Sequence, residues 1–272
     1  MEKIGIALAG GGARGAYQIG AWKAIIELGL DKKINVYSGA SVGSLNAVLY
    51  AMGDYQKAYD TWMSLNKDSL FNLEKKIYKR IFSEKLNFLN QGIFETDRLE
   101  EIMDEVVDLE KIIDKEIYIS ATVLGNENST FFDLLKTNYR HFYRKDHQVK
   151  YIKLNKMSEA EIKTIMLASC AIPVAFKPIT INGETFYDGG ILENTPITPL
   201  IEAGCTKIIA IDLFRYNFQR KKHIDGVKIV YVYPKHSLRG ILDFNPKYIE
   251  RRFELGYEDT MNVLKEQFEE II

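Results

Sequence analysis

Two glycine-rich turns, one behind each of the first two strand-like runs, constrain this chain more than any other feature. The stretch LAGGGARGAY (residues 8–17) carries Gly10, Gly12 and Gly15 in a G-x-G-x-x-G spacing, after the apolar run 4–9 and ahead of a helical pattern. The second apolar run, 34–37, leads into Gly39-Ala40-Ser41-Val42-Gly43, a G-x-S-x-G that again precedes a helical pattern, 42–52. Strand, glycine turn, helix, strand, glycine turn, helix is the rhythm of an α/β sheet. Glycine turns at helix starts also present backbone N–H groups to an anion.

The second turn decides what the first is for. A dinucleotide site would place an acidic residue near the end of the second strand to hold a ribose. None stands there, and no Gly-Lys-Ser/Thr follows the first turn, so a P-loop is excluded as well. A G-x-S-x-G between strand and helix is instead a nucleophile elbow, which lifts the Ser41 hydroxyl out at the top of the sheet. The first turn would then face Ser41 across a gap, its amides suited to the oxyanion of acyl transfer. Either turn alone is compatible with a plain strand-to-helix connection; the pair on consecutive strand ends is far more specific.

The rest of the chain reads as one domain over residues 1–272. Residues 57–109 are mainly helical, giving a helical insertion near 54–110 with a capping box at Asp97 and Glu100. Strands are expected at 116–124, 130–134 and 149–154. A second capping box, Ser158 and Glu161, opens a helix running to about Ser169. Asn182-Gly183 marks a hairpin between 178–181 and 185–187. Buried strands are expected at 207–213 and 227–233, and Pro246 starts a closing helix.

Ser41 needs a base. By the chain order of a conventional serine triad, only His223 and His236 come late enough. Asp188, in Asp188-Gly189-Gly190 behind a hairpin strand, offers a carboxylate route, although such a tripeptide is also an ordinary turn. The two cysteines, Cys170 and Cys205, define no metal or disulfide pattern, which sets a reducing compartment as the default. A net charge of −1 gives no global pull toward nucleic acid. We expect no secretory leader and no membrane-spanning run, so a cytoplasmic protein.

Together these residues resemble the patatin-like phospholipases: Gly10-Gly11-Gly12-Ala13-Arg14-Gly15, then Gly39-Ala40-Ser41-Val42-Gly43, then Asp188-Gly189-Gly190, with LASCAIPVAFKPI (167–179) just before the last. The resemblance covers residues 4 to about 213. It implies a three-layer α/β/α sandwich around a mainly parallel sheet. It also implies a Ser–Asp dyad, with Ser41 as nucleophile and Asp188 as its general base. The glycine loop (Gly10, Gly11, Gly12, Gly15) would form the oxyanion hole, the amides of Gly11 and Gly12 serving as donors and Arg14 fixing the loop. The implied activity is hydrolysis of lipid acyl esters without metal or organic cofactor. The competing readings are an esterase or thioesterase of small soluble acyl compounds, and an idle lipid- or nucleotide-binding module. Two basic segments bear on peripheral contact with an anionic membrane. Leu70, Leu73, Ile77 and Ile81 share a helical spacing with Lys75, Lys76, Lys79 and Arg80, and residues 136–156 hold seven Lys or Arg against Asp146 alone. Each is either a lipid-facing patch or a solvated face of a packed element.

Overall fold

The computed structural model of the protein describes residues 2–65, 97–124, 147–170, 179–181, 184–188, 193–218, 220 and 223–267. Its strands are β1 (Ile4–Leu8), β2 (Ile34–Ala40), β3 (Glu116–Leu124), β4 (His147–Lys153), β5 (Ile179–Ile181), β6 (Glu184–Asp188), β7 (Lys207–Ile211) and β8 (Lys228–Val232). The helices are α1 (Ala16–Glu27), α2 (Val42–Met52), α3 (Tyr55–Ser64), α4 (Asp97–Val106), α5 (Leu109–Ile112), α6 (Glu159–Ser169), α7 (Thr198–Glu202) and α8 (Pro246–Glu266).

Five strands run parallel in the order β3-β2-β1-β7-β8. The chain builds outward from β1 in one direction through β2 and β3, and in the other through β7 and β8. The point beyond the carboxyl end of β1 is therefore a topological switch, where α/β sheets keep their ligand crevices. β4, β5 and β6 are antiparallel additions. β4 lines one edge of β3 from Tyr118 to Leu124. The other edge is shared: β2 pairs with Glu116–Ser120, and β6 then takes over at Ala121–Val123.

Alternation along β1 sorts the two faces. Ile4, Ile6 and Leu8 enter the large core with residues of α1, α2, α6 and α8, whereas Ala7 joins a smaller core with Leu200 of α7. All five β1 residues are buried, as expected for a central parallel strand covered on both sides. Helices α1 and α8 interlock through two glycines. A Cβ on Gly20 would sit 1.9 Å from the Phe253 carbonyl oxygen, and one on Gly256 would sit 1.9 Å from that of Tyr17.

Most sequence expectations hold. α2 ends in Gly53 at φ +73°, and the Ser158–Glu161 capping box is formed in full. Pro246 opens α8 behind an Asn245 cap, and β5 pairs antiparallel with β6 up to Ile181 and Glu184, the turn residues Asn182 and Gly183 lying outside the described residues. Several boundaries shift. β2 runs on to Ala40, the first helix starts with a 3₁₀ turn over Gly12–Gly15 before α1, the 149–154 strand is β4 at 147–153, and the strands expected at 207–213 and 227–233 are the shorter β7 and β8. Helices α3 and α4 and the start of α5 lie within the expected 54–110 insertion. Residues 66–96, with the amphipathic stretch 70–82, lie outside the described residues, as do the 130–134 strand and the N-terminal flank of the Asp97–Glu100 box.

Candidate active site

Ser41 stands between β2 and α2 with φ +53° and ψ −131°, a backbone conformation that L-residues rarely adopt. Such strain persists only where neighbours hold it. Here Ser169 does so. Its hydroxyl donates to the Ser120 carbonyl of β3 at 2.7 Å, while its oxygen accepts the Ser41 N–H at 2.9 Å. With that one proton committed, the Ser44 hydroxyl is the donor in the 2.8 Å contact to Ser169. The elbow is thus pinned to the end of α6 and the middle of β3. Its two glycines are needed for close approach. A Cβ on Gly39 would lie 2.1 Å from the Gly43 carbonyl oxygen, and one on Gly43 would lie 2.1 Å from that of Leu8 in β1. Ser41 itself is only 3% exposed.

The first glycine turn packs directly onto this elbow. A Cβ on Gly10 would meet the Ser41 Cβ and the Asn194 Oδ1, each at 2.9 Å. Gly10 N–H donates to the Asn194 carbonyl at 3.1 Å, Ala13 N–H to Ile241 at 2.7 Å and Arg14 N–H to Gly11 at 3.2 Å. The N–H groups of Gly11 and Gly12 have no acceptor among the described residues. These two successive amides lie in the turn beside Ser41, at the switch point of the sheet. Gly12 has φ +54°, and a Cβ there would fall 2.2 Å from the Ile241 carbonyl oxygen. A Cβ on Gly15 would run into the Trp62 ring at 2.6 Å.

Two arginines fasten this loop from outside. Arg14 donates to the carbonyls of Arg239 (2.9 and 2.6 Å) and Leu213 (3.3 Å) and stacks on Phe214. Burial lowers its pKa. Arg252, which is 1% exposed, donates to Ala13, Leu238, Gly240 and Asp243 carbonyls. Its pKa is pushed down to about 10 by burial. Both side chains thus bind the 238–243 strap to the glycine turn through backbone oxygens alone.

Backbone register brings the carboxylate candidate to the same place. On one edge of β3, Ser120 is opposite Ala40, the residue before Ser41, and the next residue, Ala121, is opposite Asp188. The end of β2 and the end of β6 therefore meet at consecutive positions of β3. Gly189 and Gly190 lie outside the described residues. The histidines come from other elements. His223 is in the loop before β8, at the opposite end of the sheet, exposed and hydrogen-bonded to Asp225 at 2.8 Å. His236 lies on the loop behind β8, a strand three places from β2 in the sheet, and borders a groove that Arg14 also lines.

Sequence reasoning missed Ser169, Asn194 and Arg252. Only Ser169 carried a signal, as the last residue of a helix whose start was marked by a capping box. Arg252 looks like one more charge on an amphipathic helix until the fold places it under the strap. Of the basic segment 136–156, residues 147–153 form β4, and Lys153 is paired with Glu116 at 2.7 Å; residues 136–146 are outside the described part. No cluster of three metal-capable side chains and no helix able to cross a membrane occurs among the described residues.

Comparison with known proteins agrees with this architecture. A family model described as patatin-like phospholipase matches residues 6–201. The chain is 26% identical over 227 residues to a lysophospholipase NTE1 of Meyerozyma guilliermondii, covering 78% of this chain and 13% of that protein. It is 25% identical over 285 residues to the lysophospholipase NTE1 of Saccharomyces cerevisiae, covering 97% of this chain and 14% of that protein. The chain thus corresponds to a small part of these much longer relatives. Among solved structures, the human GIVD cytosolic phospholipase A2 superposes with a TM-score of 0.58 at 10% identity, over 99% of this chain and 60% of that one. VipD of Legionella pneumophila does so at 0.50 and 15%, over 97% and 67%. At these identities the structural likeness speaks for the fold.

Proposed function

The chain belongs to the patatin-like phospholipase family, and from that premise we propose that it is a lipid acyl hydrolase working through a Ser41–Asp188 dyad. The observation that carries this reading is the register on β3, in which Ala40 and Asp188 occupy consecutive partner positions. In this mechanism the Ser41 hydroxyl attacks the ester carbonyl while the Asp188 carboxylate takes its proton. The tetrahedral oxyanion is met by the free N–H groups of Gly11 and Gly12. Asp188 then returns the proton to the departing alcohol, leaving an acyl–Ser41 ester that water hydrolyses by the reverse proton path. A carboxylate is a weak base near neutrality unless water is scarce around it. The near-complete burial of Ser41 supports such a setting. No step in this scheme calls on a metal or organic cofactor.

The substrate class follows from the family and its lysophospholipase relatives: glycerolipid acyl esters, presented at an interface. Hydrolysis of a panel of phospholipids, lysophospholipids, glycerides and short soluble esters, with Ser41→Ala as the blank, tests the reading. Lipid ester turnover that vanishes in the blank supports it. Turnover restricted to short soluble esters would assign the site to small acyl compounds. Turnover that survives Ser41→Ala would remove Ser41 from the mechanism.

A further inference from the structure

Among the described residues, five large hydrophobic side chains are exposed: Ile113, Tyr216, Phe218, Tyr233 and Leu242. Four of them sit on two loops, 213–218 behind β7 and 233–242 behind β8, at the carboxyl end of the sheet where Ser41 and the glycine turn lie. Phe218 is 92% exposed and Tyr216 75%. Exposed aromatics of this size on one rim are unusual in a soluble surface and mark contact with another phase or partner.

Several contacts bridge the two loops. Arg220 reaches Asp212 at 3.0 Å and the carbonyls of Arg215 and Phe214, and its guanidinium lies 4.2 Å from the Tyr233 ring, so it ties the two loops together. Arg14 and Arg252 fasten the second loop to the glycine turn, as described above. Between the loops runs a groove of about 330 Å³, lined among others by Arg14, Phe214, Arg215, Tyr216 and His236. These contacts join the two loops to each other and to the glycine turn.

Charge selects the partner. Residues 213–218 (LFRYNF) and 233–242 (YPKHSLRGIL) contain Arg215, Lys235, His236 and Arg239 and no acidic residue. Asp212, just below, is fully buried and paired with Arg220. Asp243 follows the second loop and is the nearest acid along it. Exposed aromatic and aliphatic tips interleaved with cations suit a lipid interface, with rings at headgroup depth and cations on lipid phosphates.

We infer that the rim formed by residues 213–218 and 233–242 docks the protein onto an anionic lipid surface, with the groove and Ser41 turned toward the bilayer. The assignment of a lipid surface rests on the hydrolase reading above, but its test does not. Flotation of the wild-type protein with vesicles of phosphatidylcholine alone, and with equimolar phosphatidylcholine and phosphatidylglycerol, reads binding directly. Partitioning should favour the anionic vesicles and fall as salt rises. Each basic residue at such a surface is worth about a fivefold factor, so Arg215→Gln with Lys235→Gln should weaken partitioning about twenty-five-fold. Phe218→Ser should weaken it on both vesicle types. All three side chains are solvent-exposed, so folding should be unchanged by circular dichroism, and hydrolysis of a soluble short-chain ester should stay at the wild-type rate.

Equal binding of the wild-type protein to both vesicle types would overturn the inference, as would undiminished binding by the combined variant. Loss of vesicle binding by the protein carrying Arg215→Gln, Lys235→Gln and Phe218→Ser together, with soluble-ester turnover intact, would support it. If the wild-type protein turned over no ester at all, the catalytic proposal would fail while flotation still judged the rim.

Discussion

Removing the Ser169 hydroxyl should unfasten the elbow with the smallest change of shape. In the Ser169→Ala protein three hydrogen bonds vanish at once, of 2.9 Å from Ser41 N–H, 2.8 Å from the Ser44 hydroxyl and 2.7 Å to the Ser120 carbonyl. The Ser41 amide then loses its acceptor in buried surroundings. A buried polar group left unsatisfied costs about 1–3 kcal/mol, so the expected loss is about 1–3 kcal/mol. At this chain length that lowers Tm by roughly 2–10 °C. Activity should fall more steeply than stability, because a Ser41 released from φ +53° no longer holds its hydroxyl against the Gly10 turn. Displacement of about 1 Å can cost on the order of a hundredfold in turnover. Thermal unfolding by circular dichroism and kcat on a soluble ester are the two readouts. Ser169→Thr, which keeps the hydroxyl, should recover part of both. A Ser169→Ala protein with wild-type Tm and wild-type kcat would refute the claim that this hydroxyl holds the elbow.

Three further outcomes follow from the same geometry. Gly12→Val places a side chain against the Ile241 carbonyl oxygen at a backbone φ of +54°, so it should displace the free amides and cut kcat by about 10²–10³, measured on the soluble ester with KM little changed. Gly20→Ala would drive a methyl into the Phe253 carbonyl at 1.9 Å; denaturant unfolding should show a loss of about 1–3 kcal/mol as α1 and α8 are forced apart. Glu116 is held down to about 2: burial alone would raise its pKa, but Lys153, Lys3 and Tyr118 hydrogen-bond the carboxylate and win. A depressed carboxylate contributes stability that is complete above its ordinary value of 4.5 and is lost as pH falls toward 2. Stability of the wild-type protein should therefore drop across that acid window more than that of Glu116→Gln, which should already be lower at neutral pH.

What the sequence revealed of this molecule was local, and what it hid was distant. The glycine turns, the cap at Ser158 and the Gly53 and Pro246 boundaries are legible because each rests on the conformational preference of one or two residues. Ser41 is legible because an elbow requires a particular five-residue pattern, here residues 39–43. The clamp on Ser41 is not, since Ser169 and Ser120 acquire meaning only when β3 and α6 are laid beside β2. Arg252 is hidden for the same reason: its partners are backbone carbonyls, which leave no trace in residue identity. The sharing of one β3 edge between β2 and β6 is likewise a product of register. It is also what brings the neighbourhood of Ser41 and Asp188 together across most of the chain length.

The central claim is that Ser41 is served by Asp188 and by no histidine. The direct measurement compares Asp188→Asn with His236→Ala, each confirmed folded, by their rates on a soluble ester and by labelling of Ser41 with a fluorophosphonate. The amide in Asp188→Asn keeps the shape of the carboxylate but cannot accept the serine proton, so turnover and labelling should both be nearly abolished. The His236→Ala protein, changed on the loop behind β8, should keep most of both. Loss of activity by several orders of magnitude in His236→Ala, with Asp188→Asn still active, would contradict the dyad and make this a triad enzyme.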